Sequence, residues 1–198
     1  MKISKIAALC KEEKTAILYD QRTEDGGIEI QWLGNGRAVY PLFDAPLFDA
    51  ASLVAAYDMT NKKQYVTHHQ ALPEALNFSD IDEDEKECVP IDTAIGVGGK
   101  ILRPYITERG VALLDEKLMA PLRDADAGQV RVYERYSKAG ALYFAVKSGF
   151  MLYAVILPTE VITGKLVDDL EVLWKLCKAR RENMIDEEEA GDAASAED

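Results

Sequence analysis

Ala141-Leu142-Tyr143-Phe144-Ala145-Val146-Lys147-Ser148-Gly149-Phe150-Met151-Leu152-Tyr153-Ala154-Val155-Ile156-Leu157-Pro158 decides the reading of the chain. Two apolar-rich runs flank Ser148-Gly149, the composition of an antiparallel hairpin closed by a tight turn. The second run is almost wholly apolar, so it needs cover on both faces or a place at a contact. Upstream, Val130 to Tyr136 alternates and Ser137 to Gly140 turns, adding a third strand. Before that, Thr107 stands where it would cap a helix from Glu108, with Val111, Leu114, Asp115 and Leu118 on one side and Pro121 at its end. Thr107 to Pro158 therefore predicts one helix followed by three strands.

The same design recurs at the start. Ile3, Ile6, Ala7 and Cys10 form one stripe of an amphipathic helix. Ala16-Ile17-Leu18-Tyr19 and Ile28 to Trp32 follow as strands, with Asp25-Gly26-Gly27 between them. Gly34-Asn35-Gly36 supplies a turn and Arg37 to Leu42 a third strand. Between the two units, Asp49 to Tyr57 predicts a short Ala-rich connecting helix. The pattern weakens from Met59 to Glu87; Pro90 to Val97 is apolar again, Gly98-Gly99 turns, and Lys100 to Tyr105 is a further strand. Thr163 then caps a long helix with Leu166, Val167, Leu170, Leu173, Trp174 and Cys177 on one face and Lys178, Arg180 and Arg181 near its end.

The expected class is α+β: antiparallel sheets with helices on one side, in two similar halves of a helix and three strands, plus a C-terminal helix. The halves span about 1–78 and 88–162, joined by an acidic linker at 79–87; the last helix is 163–185 and a disordered acidic tail is 186–198. The formal charge of -12 is located wholly in two of these segments, 79–87 at -5 and 186–198 at -7. The remaining body is neutral, so the acidic total does not exclude a nucleic-acid partner.

Chemistry-bearing signatures are missing from the sequence. Cys10, Cys88 and Cys177 form no Cys-x-x-Cys pair, which argues against a disulfide framework or a structural zinc site. His68-His69 are adjacent rather than spaced as ligands and are expected in a surface loop. Gly96-Val97-Gly98-Gly99-Lys100 lacks the Ser or Thr of a phosphate loop, since Ile101 follows, and is expected to be a turn. None of Ser52, Ser79, Ser137 and Ser148 sits in a Gly-x-Ser-x-Gly setting. No catalytic, cofactor or metal residue is assigned and a non-enzyme is expected. With no secretory signal and no run long enough to span a bilayer, a cytoplasmic protein without membrane contact is expected. Arg131, Tyr133, Arg135, Tyr136, Tyr143 and Lys147 mix aromatic and basic side chains along the second sheet, a combination suited to stacking and phosphate contact on an exposed face.

A helix with three antiparallel strands, used twice around a linker, resembles the processivity fold of DNA sliding clamps. The resemblance rests on Ile3 to Leu42 and Thr107 to Pro158, whose last strands end alike in Ala38-Val39-Tyr40-Pro41 and Ala154-Val155-Ile156-Leu157-Pro158. It implies a non-catalytic, phage-type replication accessory: sheets outside, helices lining a hole, and double-stranded DNA held without sequence specificity. It also implies a polymerase or other replication protein as partner. One such domain is too small to encircle a duplex, so a homo-oligomer is implied. Lys2, Lys5, Lys11 and Lys14 would face DNA; Leu166, Leu170, Leu173 and Trp174 would dock a partner. Two other readings stay open: a protein-protein interaction module with no DNA binding, and an acidic DNA mimic using Asp80 to Glu87 and the tail.

Overall fold

The computed structural model describes residues 2–58, 66–122 and 130–195. Two units are distinct: Met1–Thr159, and Glu160–Asp198, which consists chiefly of one helix. In chain order the first unit runs α1 (Ile3–Glu13), β1 (Thr15–Arg22), β2 (Ile28–Gly34), β3 (Ala38–Pro41), α2 (Ala50–Ala56) and β4 (Val66–Ala71). It continues β5 (Lys86–Glu87), β6 (Val89–Pro90), β7 (Ile95–Val97), β8 (Lys100–Thr107) and β9 (Gly110–Asp115). A 3-10 helix (Glu116–Leu122) then leads to β10 (Val130–Tyr136), β11 (Leu142–Ser148) and β12 (Met151–Ile156). The class is mixed α+β.

Alternation at period two puts Ala16, Leu18, Leu33, Ala38, Tyr40, Val132, Phe144, Val146, Ala154 and Ile156 on one face of an eight-stranded sheet ordered β4-β1-β2-β3-β12-β11-β10-β5. That face is covered by Ile6, Ala7, Leu9 and Cys10 of α1, and by Leu114, Leu118 and Leu122 from β9 and the 3-10 helix. Side chains such as Leu18, Leu33 and Phe144 are fully buried there, each worth about 1.5–3 kcal/mol of burial. The opposite face carries Tyr19, Trp32, Val39, Tyr143, Ala145 and Val155. The strand order is palindromic about its centre: β1-β2-β3 and β10-β11-β12 are antiparallel meanders whose last strands pair, Val155 with Val39 and Ile156 with Ala38. Gly34 permits the close turn into β3, since a Cβ there would stand 2.8 Å from the Ala38 carbonyl oxygen.

Several expectations are corrected. The helix expected from Glu108 is the β8–β9 hairpin: Thr107 pairs with Gly110, and the Thr107 hydroxyl donates to the Gly110 carbonyl rather than capping a helix. Gly110 sits at φ +123, a conformation an L side chain resists, which favours a turn. Helix survives only in the seven residues of Glu116–Leu122. The His68-His69 loop is strand β4, which pairs in parallel with β1, so the large sheet is not wholly antiparallel. The turn between β11 and β12 centres on Gly149-Phe150, because Ser148 pairs with Met151. Gly98 and Gly99, both at positive φ, do form the expected turn between β7 and β8.

Most of the acidic run is exposed, as expected, while Asp82 and Glu85 are half-buried and the run is held to the sheet. β4 and β5 are opposite edges of the sheet, and residues 72–85 cross its second face between them as a strap. Phe78 packs edge-on to Trp32 of β2 at 5.2 Å, and the Asn77 amide donates to the Tyr143 hydroxyl of β11 at 2.9 Å. The Leu152 amide of β12 donates to Asp80 Oδ1 at 2.7 Å.

In the second unit, α3 (Gly164–Ser195) is helical well past the expected end at 185. Glu187-Glu188-Glu189 and Ala190, Ala193 and Ala194 are good helix formers, so the expected tail joins the helix up to Ser195. Residues 196–198 of that tail, and 59–65 of the expected weak stretch, lie outside the described residues.

Candidate nucleic-acid interface

α1 turns its apolar stripe inward and leaves Ser4, Ala8 and Glu12 exposed, with Lys5 and Lys11 half-buried beside them. Lys2, in extended conformation, precedes the first turn, and its amide donates to the Pro121 carbonyl at 3.4 Å, tying α1 to the 3-10 helix. At the other end Lys14 is exposed and adopts the left-handed conformation at φ 54, its N–H directed to the Cys10 and Lys11 carbonyls. Lys11 in the last turn suits the negative end of the helix dipole. The four predicted lysines thus lie along or at the ends of one helix.

The acids of α1 meet cations from other elements. Glu12 pairs with Lys117 of the 3-10 helix at 2.5 Å and Glu13 with Arg37 at 3.3 Å. Arg37 also reaches Asp115 at 3.0 Å and donates to the Thr159 hydroxyl at 2.7 Å. The buried Tyr40 hydroxyl, donating to the Leu118 carbonyl at 2.6 Å, fixes the 3-10 helix to β3. α1 and the 3-10 helix therefore share one face of the sheet, held by ion pairs outside and a buried hydrogen bond inside.

The second-sheet set does not form an exposed basic face. Arg135 is fully buried; its Nε donates to Glu85 at 2.8 Å and its Nη1 to the Asn77 and Ser79 carbonyls at 3.1 and 2.9 Å. Lys147 reaches the other Glu85 oxygen and lies 5.1 Å from the Tyr133 ring centroid. Tyr143 is buried and Arg131 pairs with Glu87 at 2.7 Å. Burying charge is tolerated where each ion is paired and hydrogen-bonded, and the strap supplies both. No local pattern signals this contact. The nearest sequence signal is an acidic run facing two basic strands inside an otherwise neutral body.

His69 Nε2 stands 2.9 Å from Asp20 Oδ2, and Gln31 Nε2 donates to Asp20 Oδ1 at 2.8 Å. Burial pushes the Asp20 carboxyl up. The hydrogen bonds from Gln31 and His69, with the charges of His69 and Arg22, outweigh it and hold the carboxyl below its usual range. This network ties β4 and the Phe48 backbone to β1 and β2. Among the described residues, no group of His, Cys, Asp and Glu is placed to hold a metal ion, and no helix is long and apolar enough to cross a membrane.

On α3, Leu170, Leu173 and Trp174 are exposed and Leu166 is half-buried, so the predicted docking residues share one helical stripe. Comparison of the chain with protein-family models, curated proteins and solved structures finds no match to any of them.

Proposed function

We propose that the chain is a clamp-like, phage-type accessory of DNA replication that assembles with copies of itself, holds duplex DNA without reading sequence, and tethers a polymerase or other replication protein. The observation that carries this reading is the palindromic sheet. β3 and β12 meet at its centre, and the helical segment of each half, α1 or the 3-10 helix, lies on the same face. In a clamp that face looks inward, and here it presents Lys2, Lys5, Lys11 and Lys14. Cations of this kind neutralise phosphates and give strongly salt-dependent, sequence-independent binding.

A protein-interaction module without DNA binding is the second reading, and the exposed stripe of Leu170, Leu173 and Trp174 favours it. The DNA-mimic reading gains no support, because Asp80, Asp82 and Glu85 are turned onto the protein's own Leu152 amide and Arg135.

The test is retention on closed circular duplex DNA at low salt, with linearised DNA as control. Lys2, Lys5, Lys11 and Lys14 are changed together to Glu, and folding is checked by thermal melting. The proposal expects retention on circles, release from linear ends, and loss of retention in a folded variant. Retention that survives the charge reversal removes α1 from the DNA-facing role.

A further inference from the structure

We infer that α3 is a self-association surface, its apolar stripe pairing antiparallel with the same stripe of a second copy of the chain. Every residue from 167 to 181 is exposed, although helices in proteins draw most of their stability from packing an apolar face. At 100° per residue, Leu166, Val167, Leu170, Leu173, Trp174 and Cys177 fall within about one third of the helix circumference. Leu166, Leu170, Leu173 and Cys177 are spaced four, three and four apart, the repeat of a seam between two helices.

Charge selects the occupant and its direction. Asp168, Asp169 and Glu171 make the first part of this stretch acidic, and Lys175, Lys178, Arg180 and Arg181 make the second part basic. A parallel, in-register pair would set each block beside its own copy, like charge against like. An antiparallel pair does the reverse. With the twofold axis near Trp174-Lys175, Asp169 lies level with Arg180 of the second copy and Glu171 level with Lys178, each twice by symmetry. About the same register seats Leu173 beside Cys177 of the second copy, so the seam and the charges agree on one arrangement. The helix is thus complementary to itself when reversed, and a second copy satisfies both its apolar stripe and its two charge blocks. In dilute protein, where protomers are apart, Cys177 is open to thiol reagents; at concentrations that favour pairing its labelling slows. The inference rests on α3 alone and stands apart from the DNA reading.

The test is disulfide trapping in the full chain by copper-catalysed air oxidation, read as covalent dimer on a non-reducing gel. Cys10 and Cys88 are buried and stay silent. Leu173→Cys, with Cys177 kept, should give a covalent dimer. Wild type should not, and neither should Leu173→Cys combined with Cys177→Ala. In the antiparallel pair, identical positions are offset by about four residues, roughly 6 Å along the axis, between helices about 8–10 Å apart. Cα atoms more than about 7 Å apart are not bridged. Leu170→Glu added to Leu173→Cys should abolish the dimer; Leu170 is exposed in the protomer, so this change leaves its fold intact. Absence of covalent dimer from Leu173→Cys overturns the inference, as does a dimer that survives Leu170→Glu. A covalent dimer of wild type through Cys177 would show parallel helices and overturns it too. Trapping reads the α3 contact itself, so its outcome is separate from whether the chain holds DNA.

Discussion

Glu85 and Arg135, 50 residues apart in sequence, meet through Oε2 and Nε at 2.8 Å, with the Arg135 side chain fully withdrawn from solvent. The same carboxylate holds Lys147 through its other oxygen. Glu85→Gln leaves two buried cations with Asp82, 3.8 Å from Arg135, as nearby counter-charge. Breaking a buried pair from one side costs about 3–5 kcal/mol, and urea unfolding should show a loss of that size. A loss below about 1 kcal/mol, the range of exposed pairs, would mean that the strap does not close over Arg135.

The thiols separate into two kinds. Burial pushes Cys10 and Cys88 up to about 12, with only partial relief from hydrogen bonds, whereas Cys177 is exposed on α3. A thiol reagent at pH 8 should label one cysteine quickly and the other two only on unfolding. A raised thiol contributes stability that is intact below the unfolded value, about 8.5, and is lost as pH rises toward the folded value. Stability should therefore fall from about pH 8.5 toward about 12, less steeply in Cys10→Ala. Equal slopes would show that Cys10 does not ionise on unfolding.

Asp20 gives the opposite dependence. Its lowered carboxyl stabilises the fold above the unfolded value of about 3.9 and loses that contribution as pH falls through its folded value. Asp20→Asn should be less stable near neutrality and lose less on acidification than wild type. Fluorescence of Trp32 reports this cleanly in a Trp174→Phe background, since the chain has two tryptophans.

Where the sequence was legible, the reason was apolar-rich runs covered on one face or on both. The runs at Thr15–Arg22, Ile28–Gly34, Leu142–Ser148 and Met151–Ile156 carry their core pattern in their own side chains. Three features were hidden. Val111, Leu114 and Leu118 fit helical spacing as well as they fit a strand leading into a 3-10 turn, and pairing with β8 decides between them. β4 is an edge strand whose Thr67, His68, His69 and Gln70 show no apolar alternation. The strap depends on Arg135, whose acceptors lie fifty or more residues earlier. Of the candidate site, the lysines of α1 were visible as a helix-borne set.

The most direct test of the clamp account is solution mass by light scattering at low salt, with and without closed circular duplex DNA. The account predicts a symmetric assembly of 22.0 kDa protomers that stays with the circle and is lost when the circle is cut. A monomer whose mass is unchanged by DNA would contradict it and leave the exposed stripe of α3, with a protein partner, as the better reading.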